Sequence, residues 1–371
     1  MVDIGTAKSL AREYAIFGSV AIANGRVYLQ TASGMFCIGN GSSQETAEAP
    51  MESPKEEPID PANPPPVAHV QVRPADLVLR PGQSAKFTAW AFDEKGRSLG
   101  QVNANWSLGQ LALPAAPNSP STQPTLVGNL KGAISTGGEF TAAPGAHQGG
   151  AIVATVGTIH GQARVRVLPP LPWRFDFESN PLDKPPLTWL GAGGKFSVVA
   201  DGTNKSLVKL TDFDLYYRAR TNFGTADMAN YTLQADVKVG QKVIAGERQM
   251  PDSGIINSRY VLELLGNHQR LQSHVWPPTL PYSLNKTIPY EWQADKWYTM
   301  KLQVQQSSGK AIARGKVWPK GESEPRQWTI ELEDEMPNRC GNPGLFGHSL
   351  VGAAKSLIYF DNILVTANES N

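Results

Sequence analysis

The sequence predicts an all-β protein of several domains, and three observations carry that expectation. Its 35 glycines and 29 prolines are spread along the chain as turn punctuation. Between them lie short runs rich in Val, Ile, Thr and Tyr, the residues that suit a pleated, half-buried surface. At 371 residues the chain is long enough for two or three domains rather than one core. No run approaches the roughly 18–20 apolar residues of a membrane helix, so no membrane span is expected. With 34 Lys and Arg against 33 Asp and Glu, nothing in the charge balance points to nucleic acid or an anionic membrane as a partner.

The first strands read from Ala21 to Gly39. Val27-Tyr28-Leu29-Gln30-Thr31 is a β-branched and aromatic run entered through Asn24-Gly25, and Ala32-Ser33-Gly34 turns the chain into Met35-Phe36-Cys37-Ile38. These residues resemble the end of a blade in the PQQ-binding-like β-propeller repeat family. The resemblance implies that residues 1–39 are a partial blade, that further blades are missing on the N-terminal side, and that residues 1–39 pack poorly alone. A quinone site needs a complete propeller axis, so no cofactor is expected. Residues 1–20 lack the continuous apolar region of a signal peptide. By resemblance the protein belongs to the bacterial periplasm, cell envelope or exterior.

Residues 40–66 change character. Apolar β-formers vanish, acidic residues outnumber lysine, and the stretch closes on Pro64-Pro65-Pro66. It reads as a disordered acidic Pro-rich linker, because it cannot bury enough surface to offset its ordering entropy. Strand-like runs then recur at Val67–Arg73, Asp76–Leu79, Ser84–Phe92, Asn103–Leu108, Ala151–Val156 and Gln162–Leu168. Pro81-Gly82, Glu94-Lys95-Gly96 and Gly157 punctuate them. With Trp106 in Ala104-Asn105-Trp106-Ser107-Leu108 and Phe140 in Gly138–Gly145, residues 67–168 resemble a bacterial immunoglobulin-like β-sandwich. Both rings are expected in its core. The Pro-, Ser- and Asn-rich stretch Gln110–Lys131 reads as a long surface loop.

Residues 171–367 open on Trp173-Arg174-Phe175-Asp176-Phe177-Glu178. Strands follow at Tyr231–Val237, Ser253–Ile256, Tyr260–Leu264, Lys296–Val304, Ala311–Trp318, Gly344–Gly347 and Ile358–Val365. In this order they resemble a concanavalin-like (laminin-G-like) jelly-roll sandwich, a fold that hosts both glycan hydrolases and binding modules. Asp252-Ser253-Gly254-Ile255, followed by Arg259, and the terminal Tyr359-Phe360-Asp361-Asn362-Ile363 also resemble the bacterial 3-keto-disaccharide hydrolases. Asp252 stands where that group has asparagine.

Two constellations carry candidate chemistry. Glycoside hydrolysis needs paired carboxylates, and Glu263 is the most suggestive one. Alternation places it with Val261 and Leu265 on one strand face, with Arg259 close enough to pair with it. Glu331, Glu333 and Glu335 share a face but read as a solvated acidic edge. Trp276, Tyr282, Tyr290 and Trp292 crowd a proline-rich stretch where rings stack on sugars or else cover one end of the sandwich. Arg259 joins them as a candidate ligand-binding residue. The histidines are scattered and no metal site is expected; Asp361-Asn362 reads as a side-chain clasp on the last turn rather than a calcium pair. Cys37 and Cys340 fall in different expected domains and are expected as buried free thiols. The sequence therefore predicts a non-catalytic modular protein binding carbohydrate or an envelope protein, the alternative being a glycan-active hydrolase that uses Glu263.

Overall fold

The computed structural model describes residues 18–23, 25–31, 34–39, 57–113, 125–210, 218–276, 284–307, 309–350 and 357–369. Among them every regular element is a β-strand, so the protein is all-β. The chain divides into two compact units, Met1–Asp60 with Trp276–Leu284, and Pro61–Val275 with Asn285–Asn371.

The smaller unit holds a three-stranded antiparallel meander, Ala21–Ala23, Arg26–Gln30 and Met35–Ile38. Gly25, at φ 67°, supplies the left-handed residue that the tight first hairpin requires. Both outer strands present only exposed side chains, among them Ile22 and Met35. Cys37 shares that exposure, and Cys340 is exposed too; both thiols are free, as expected, but neither is buried. Most of the expected linker, residues 40–56, lies outside the described residues, and 57–66 contain no strand.

In the larger unit, residues 69–167 form two facing layers around one core. His69–Arg73, Thr88–Phe92 and Ser98–Val102 make one sheet; Asp76–Leu79, Ile159–Val167, Gln148–Val156 and Asn105–Gly109 make the other. The first strand changes sheet across Pro74, which lacks the N–H needed to continue a ladder. Val72, Phe87, Phe140, Ile152 and Val165 fill the space between, all at most 1% exposed. The run Ser84–Phe92 is not one strand. It breaks at Phe87, whose N–H bonds Gly138 O and whose ring is buried, so Ser84–Lys86 joins a separate sheet with Glu139–Ala142 and Gly132–Ile134. Gly138 has φ 81°, and a Cβ there would stand 2.6 Å from Phe87 O and 2.8 Å from the Trp106 ring. That absent methyl is what lets Trp106 pack, half-buried, over the turn. The stretch Gln110–Lys131 is not all loop either: Leu111–Leu113 and Thr125–Val127 pair as a short ladder.

Residues 173–367 form a sandwich of two larger sheets. The back sheet has eight strands, ordered Phe196–Asp201, Asn204–Lys209, Ile358–Ala367, Tyr231–Val239, Trp297–Ser307, Lys310–Pro319 and Ile330–Asp334, with Trp173–Phe175 also paired to Ile358–Ala367. The front sheet has six: Arg218–Asn222, Pro343–His348, Asp252–Asn257, Tyr260–Leu265, Arg270–Val275 and Asn285–Pro289. Ile255, Leu262, Leu264 and Leu271 from the front, and Leu233, Met300, Leu302 and Phe360 from the back, are fully buried. A Cβ on Gly315 of the back sheet would come within 2.5 Å of Leu262, which fixes the inward face of the front sheet. Asn257 bridges the layers, donating to Tyr231 O (2.8 Å) and Leu302 O (3.3 Å).

Asp361 and Asn362 hold a bulge within the last strand rather than a turn. Register with Tyr231–Val239 shifts between Gln234 and Asp236, and Asn362 takes φ 48°, which asparagine tolerates. Its amide donates to Asp236 Oδ2 at 2.9 Å and to Asp361 Oδ2 at 3.0 Å. Burial pushes the Asp361 carboxyl up to about 6. A carboxyl raised above its unfolded value adds stability below pH 4 that is lost as pH rises through 6. Asp361→Asn is therefore expected to stabilise the protein by about 1–3 kcal/mol at pH 7 and to flatten this slope, as read from urea midpoints.

An aromatic seam joins the two sandwiches of the larger unit. Trp173 donates to Pro169 O at 2.8 Å. His147 packs against Trp173 and Phe175 with ring centroids 5.3 and 5.0 Å apart, and Trp189 stacks on Phe223 at 4.3 Å. Arg164 reaches Trp189 O at 3.1 Å.

Candidate functional site: the outward face of the front sheet

Alternation along each front-sheet strand turns every second residue away from the core. Cross-strand register then assembles a row from six strands: Arg220 opposite Phe346, Phe346 opposite Gly254, Gly254 opposite Glu263, Glu263 opposite Gln272, and Gln272 opposite Thr287. A second row lies one pleat along, Arg218, His348, Asp252, Leu265 and Arg270. A third holds Asn222, Gly344, Ile256, Val261, His274 and Asn285.

The face is buried at its centre and exposed at its rim. Val261, Ile256 and Phe346 form a buried apolar floor, and Glu263 beside them is 6% exposed. Arg220, Asn222, Asp252, Gln272, His274 and His348 are half-buried, while Arg218, Arg270 and Asn285 at the rim are exposed. Gly254 contributes no side chain between Phe346 and Glu263, and a Cβ there would collide with Leu262 O at 2.5 Å. The sheet is tight at that point, and Phe346 and Glu263 flank a position with no side chain.

Electrostatics organise the same residues. His274 Nε2 lies 3.2 Å from Glu263 Oε2, and with its proton on that nitrogen the imidazole donates to the carboxylate. The Arg220 guanidinium sits over the Phe346 ring, 5.3 Å from its centroid. Burial pushes Arg220 down to about 10, with the Glu263 charge working against that shift. Gln272 donates to Thr287 Oγ1 at 2.9 Å. Asp252 accepts from the Gly266 N–H at 2.8 Å, and His348 Nδ1 lies 3.4 Å from its other oxygen. The face thus gathers donors and acceptors around a buried aromatic ring.

The residues singled out from sequence distribute unevenly over this picture. Glu263 lies on the outward face with Val261 and Leu265. Its expected pairing with Arg259 gives way to His274, because the Arg259 guanidinium turns to the edge of the back sheet and pairs with Asp334 at 2.6 Å. Tyr290 spends its hydroxyl on Val317 O at 3.1 Å. Trp292, 4% exposed, lies edge-on to Tyr298 at 6.0 Å, and its indole N–H reaches Leu265 O at 3.4 Å. These two rings cover one end of the sandwich, beside a depression of about 530 Å³ that Gln269, Gln293 and Lys296 also line. Trp276 is 44% exposed and groups with the smaller unit; Tyr282 lies outside the described residues. Glu331, Glu333 and Glu335 are exposed on or beside the last back-sheet strand, in ion pairs with Arg314 and Lys310. Arg220, Phe346, Gln272 and His274 escaped sequence reading because only the six-strand register brings them together.

Among the described residues, no group of three or more His, Cys, Asp or Glu side chains is placed to hold a metal ion. Among them, too, no helix is long and apolar enough to cross a membrane. No family model and no curated protein matches the chain. Solved structures similar to it include one described as "Prominent members of the human gut microbiota express endo-acting O-glycanases to initiate mucin breakdown". That structure has TM-score 0.35 and 9% identity over 53% of this chain and 99% of the other. Lectin II from Ulex europaeus has TM-score 0.30 and 9% identity over 54% of this chain and 99% of the other. A bifunctional GH43-CE protein of Bacteroides eggerthii has TM-score 0.36 and 10% identity, over 95% of this chain and 40% of the other. At TM-scores this low the likenesses lend no weight to an assignment of fold or function.

Proposed function

We propose that the protein is a non-catalytic modular binding protein that recognises carbohydrate through the outward face of its front sheet. In this reading the C-terminal sandwich is a concanavalin-like jelly roll, the preceding sandwich an immunoglobulin-like spacer, and the meander a partial blade of a PQQ-like propeller acting in the periplasm or outside the cell. The observation that carries it is the row Arg220, Phe346, Gly254, Glu263 and Gln272. A pyranose presents apolar C–H faces ringed by hydroxyls that both donate and accept. A ring beside a guanidinium, a carboxylate and an amide is complementary to that pattern.

A second reading, glycan hydrolysis, draws on one further observation. Asp252 is the diagonal neighbour of Glu263 on the same face, a placement that separates Cα atoms by about 7–8 Å. Glycoside hydrolysis uses a pair of carboxylates, one as acid and the other as base or nucleophile, and these two share one face. Asp252 already serves Gly266 N and His348, which favours a structural duty for it.

A glycan array of the full chain, coupled to product analysis, tests both readings. Binding without products is expected, with Arg220→Ala and Glu263→Gln each weakening it about tenfold, the worth of one charge-assisted hydrogen bond. Products that vanish in Glu263→Gln would transfer the assignment to the hydrolase. Retention of full affinity in both variants would remove the face from consideration.

A further inference from the structure

A separate cleft of about 520 Å³ opens where the two sandwiches of the larger unit meet, far in sequence from the strands that build the front sheet. One wall comes from the first sandwich through Val127, Asn129 and His147. The other comes from the segment that enters the second, through Arg174, Phe175 and Asp176. Its volume falls in the range of small-molecule sites.

The chemistry of the lining is specific. Phe175 contributes a half-buried ring, and Pro186 and Leu187 extend the apolar surface beside it. His147 is wedged against Trp173 and Phe175, and its Nε2 is buried with no hydrogen-bond partner among the described residues. Such a buried orphan costs free energy, and it is shut off from the open space of the cleft. Burial also pushes the imidazole down to about 4, so it stays neutral at physiological pH, a donor or acceptor but not a charge. At the mouth, Arg174 and Asp176 are exposed and of opposite sign. Lys184 uses its amine on Leu126 O at 3.3 Å. A strongly anionic ligand would face Asp176, and a cation would face Arg174 and the Lys184 ammonium, which keeps its charge while donating to a neutral carbonyl. The surroundings favour a neutral molecule with one apolar face and several hydroxyls.

We infer that this cleft is a saccharide site distinct from the front-sheet face. A neutral sugar ring would lie against Phe175, with hydroxyls reaching the exposed side chains of Arg174 and Asp176 and the wall behind it closed by His147. The site needs both sandwiches, since Val127, Asn129 and His147 form one wall and Arg174, Phe175 and Asp176 the other.

The test titrates the full chain, with isotope-labelled histidine, against neutral hexose and pentose disaccharides while following the ring signals of His147 by NMR. A saturable shift of those signals is expected. Arg174→Ala should raise the dissociation constant at least tenfold, and Arg220→Ala on the front sheet should leave it unchanged. Asp176→Asn should weaken binding several-fold with the circular dichroism spectrum preserved. Absence of any His147 shift at tens of millimolar sugar overturns the inference. So does a shift that survives Arg174→Ala and disappears in Arg220→Ala.

Discussion

Asp334→Ala is expected to destabilise the protein by about 3–5 kcal/mol, read from urea unfolding of the full chain. The carboxylate is fully buried at the edge of the back sheet and serves three groups at once. Arg259 Nη2 donates to Oδ2 at 2.6 Å, the Tyr260 hydroxyl donates to the same oxygen at 2.7 Å, and Met336 N–H donates to Oδ1 at 2.9 Å. Tyr260 is itself fully buried, and burial followed by the Asp334 charge pushes its phenol above the ordinary range. Truncation to alanine strands the buried Tyr260 phenol and leaves the half-buried Arg259 guanidinium without its carboxylate, though it still donates to Met336 O at 3.0 Å. A buried orphaned group costs more than the lost contact. Asp334→Asn, which keeps an acceptor but loses the charge, should fall between wild type and alanine. A loss below about 1 kcal/mol for alanine would mean that water replaces the carboxylate, and that the cluster is not part of what ties the two sheets together.

The second large effect is a pH dependence centred on His147. Its folded form titrates near 4 because burial against Trp173 and Phe175 disfavours the imidazolium, while the unfolded residue titrates near 6.5. Between those values the unfolded chain binds more protons, so stability rises with pH across the window. The contribution is complete above pH 6.5 and lost as pH falls towards 4, with a limit on the order of 3 kcal/mol. Asp361, raised to about 6, slopes the opposite way over much of the same range. Wild type should therefore show a shallow profile between pH 4 and 6.5. His147→Phe should expose a fall in stability with rising pH, and Asp361→Asn a rise. Thermal midpoints of the three proteins across that window decide it; a His147→Phe profile that parallels wild type would show that the ring is accessible to water.

Much of the strand content was legible because the signals were local. Period-two alternation and turn residues place Asp76–Leu79 and Tyr260–Leu265 to within a residue of where they lie. The break at Phe87 was not legible, since its cause is Gly138 O, some fifty residues away. Arg259 illustrates the same limit: four residues from Glu263 on the chain, it pairs instead with Asp334 across a gap of 75 residues. Asp334 itself could have been found. The alternation that turns Glu331 and Glu333 outward turns Ile330, Leu332 and Asp334 inward, yet the acidic run drew attention to its glutamates. The front-sheet row was the least legible, because six strands from residues 218 to 289 and 343 to 348 must settle into register before Arg220 and Glu263 share a surface.

The ion pairs along Ile330–Asp334 have a consequence for how the molecule behaves among its own copies. Among the described residues this strand ends the back sheet, with no further strand paired to its outer edge. Its outward side chains, Glu331 and Glu333, are held upright by Arg314 and Lys310 at 2.6 and 2.8 Å. A second molecule approaching edge to edge would have to strip water from that row of alternating charges before forming its first backbone bond, which is how natural sheets discourage runaway polymerisation. The same glutamates that mimic a catalytic set in the sequence thus act as a guard on an open sheet margin.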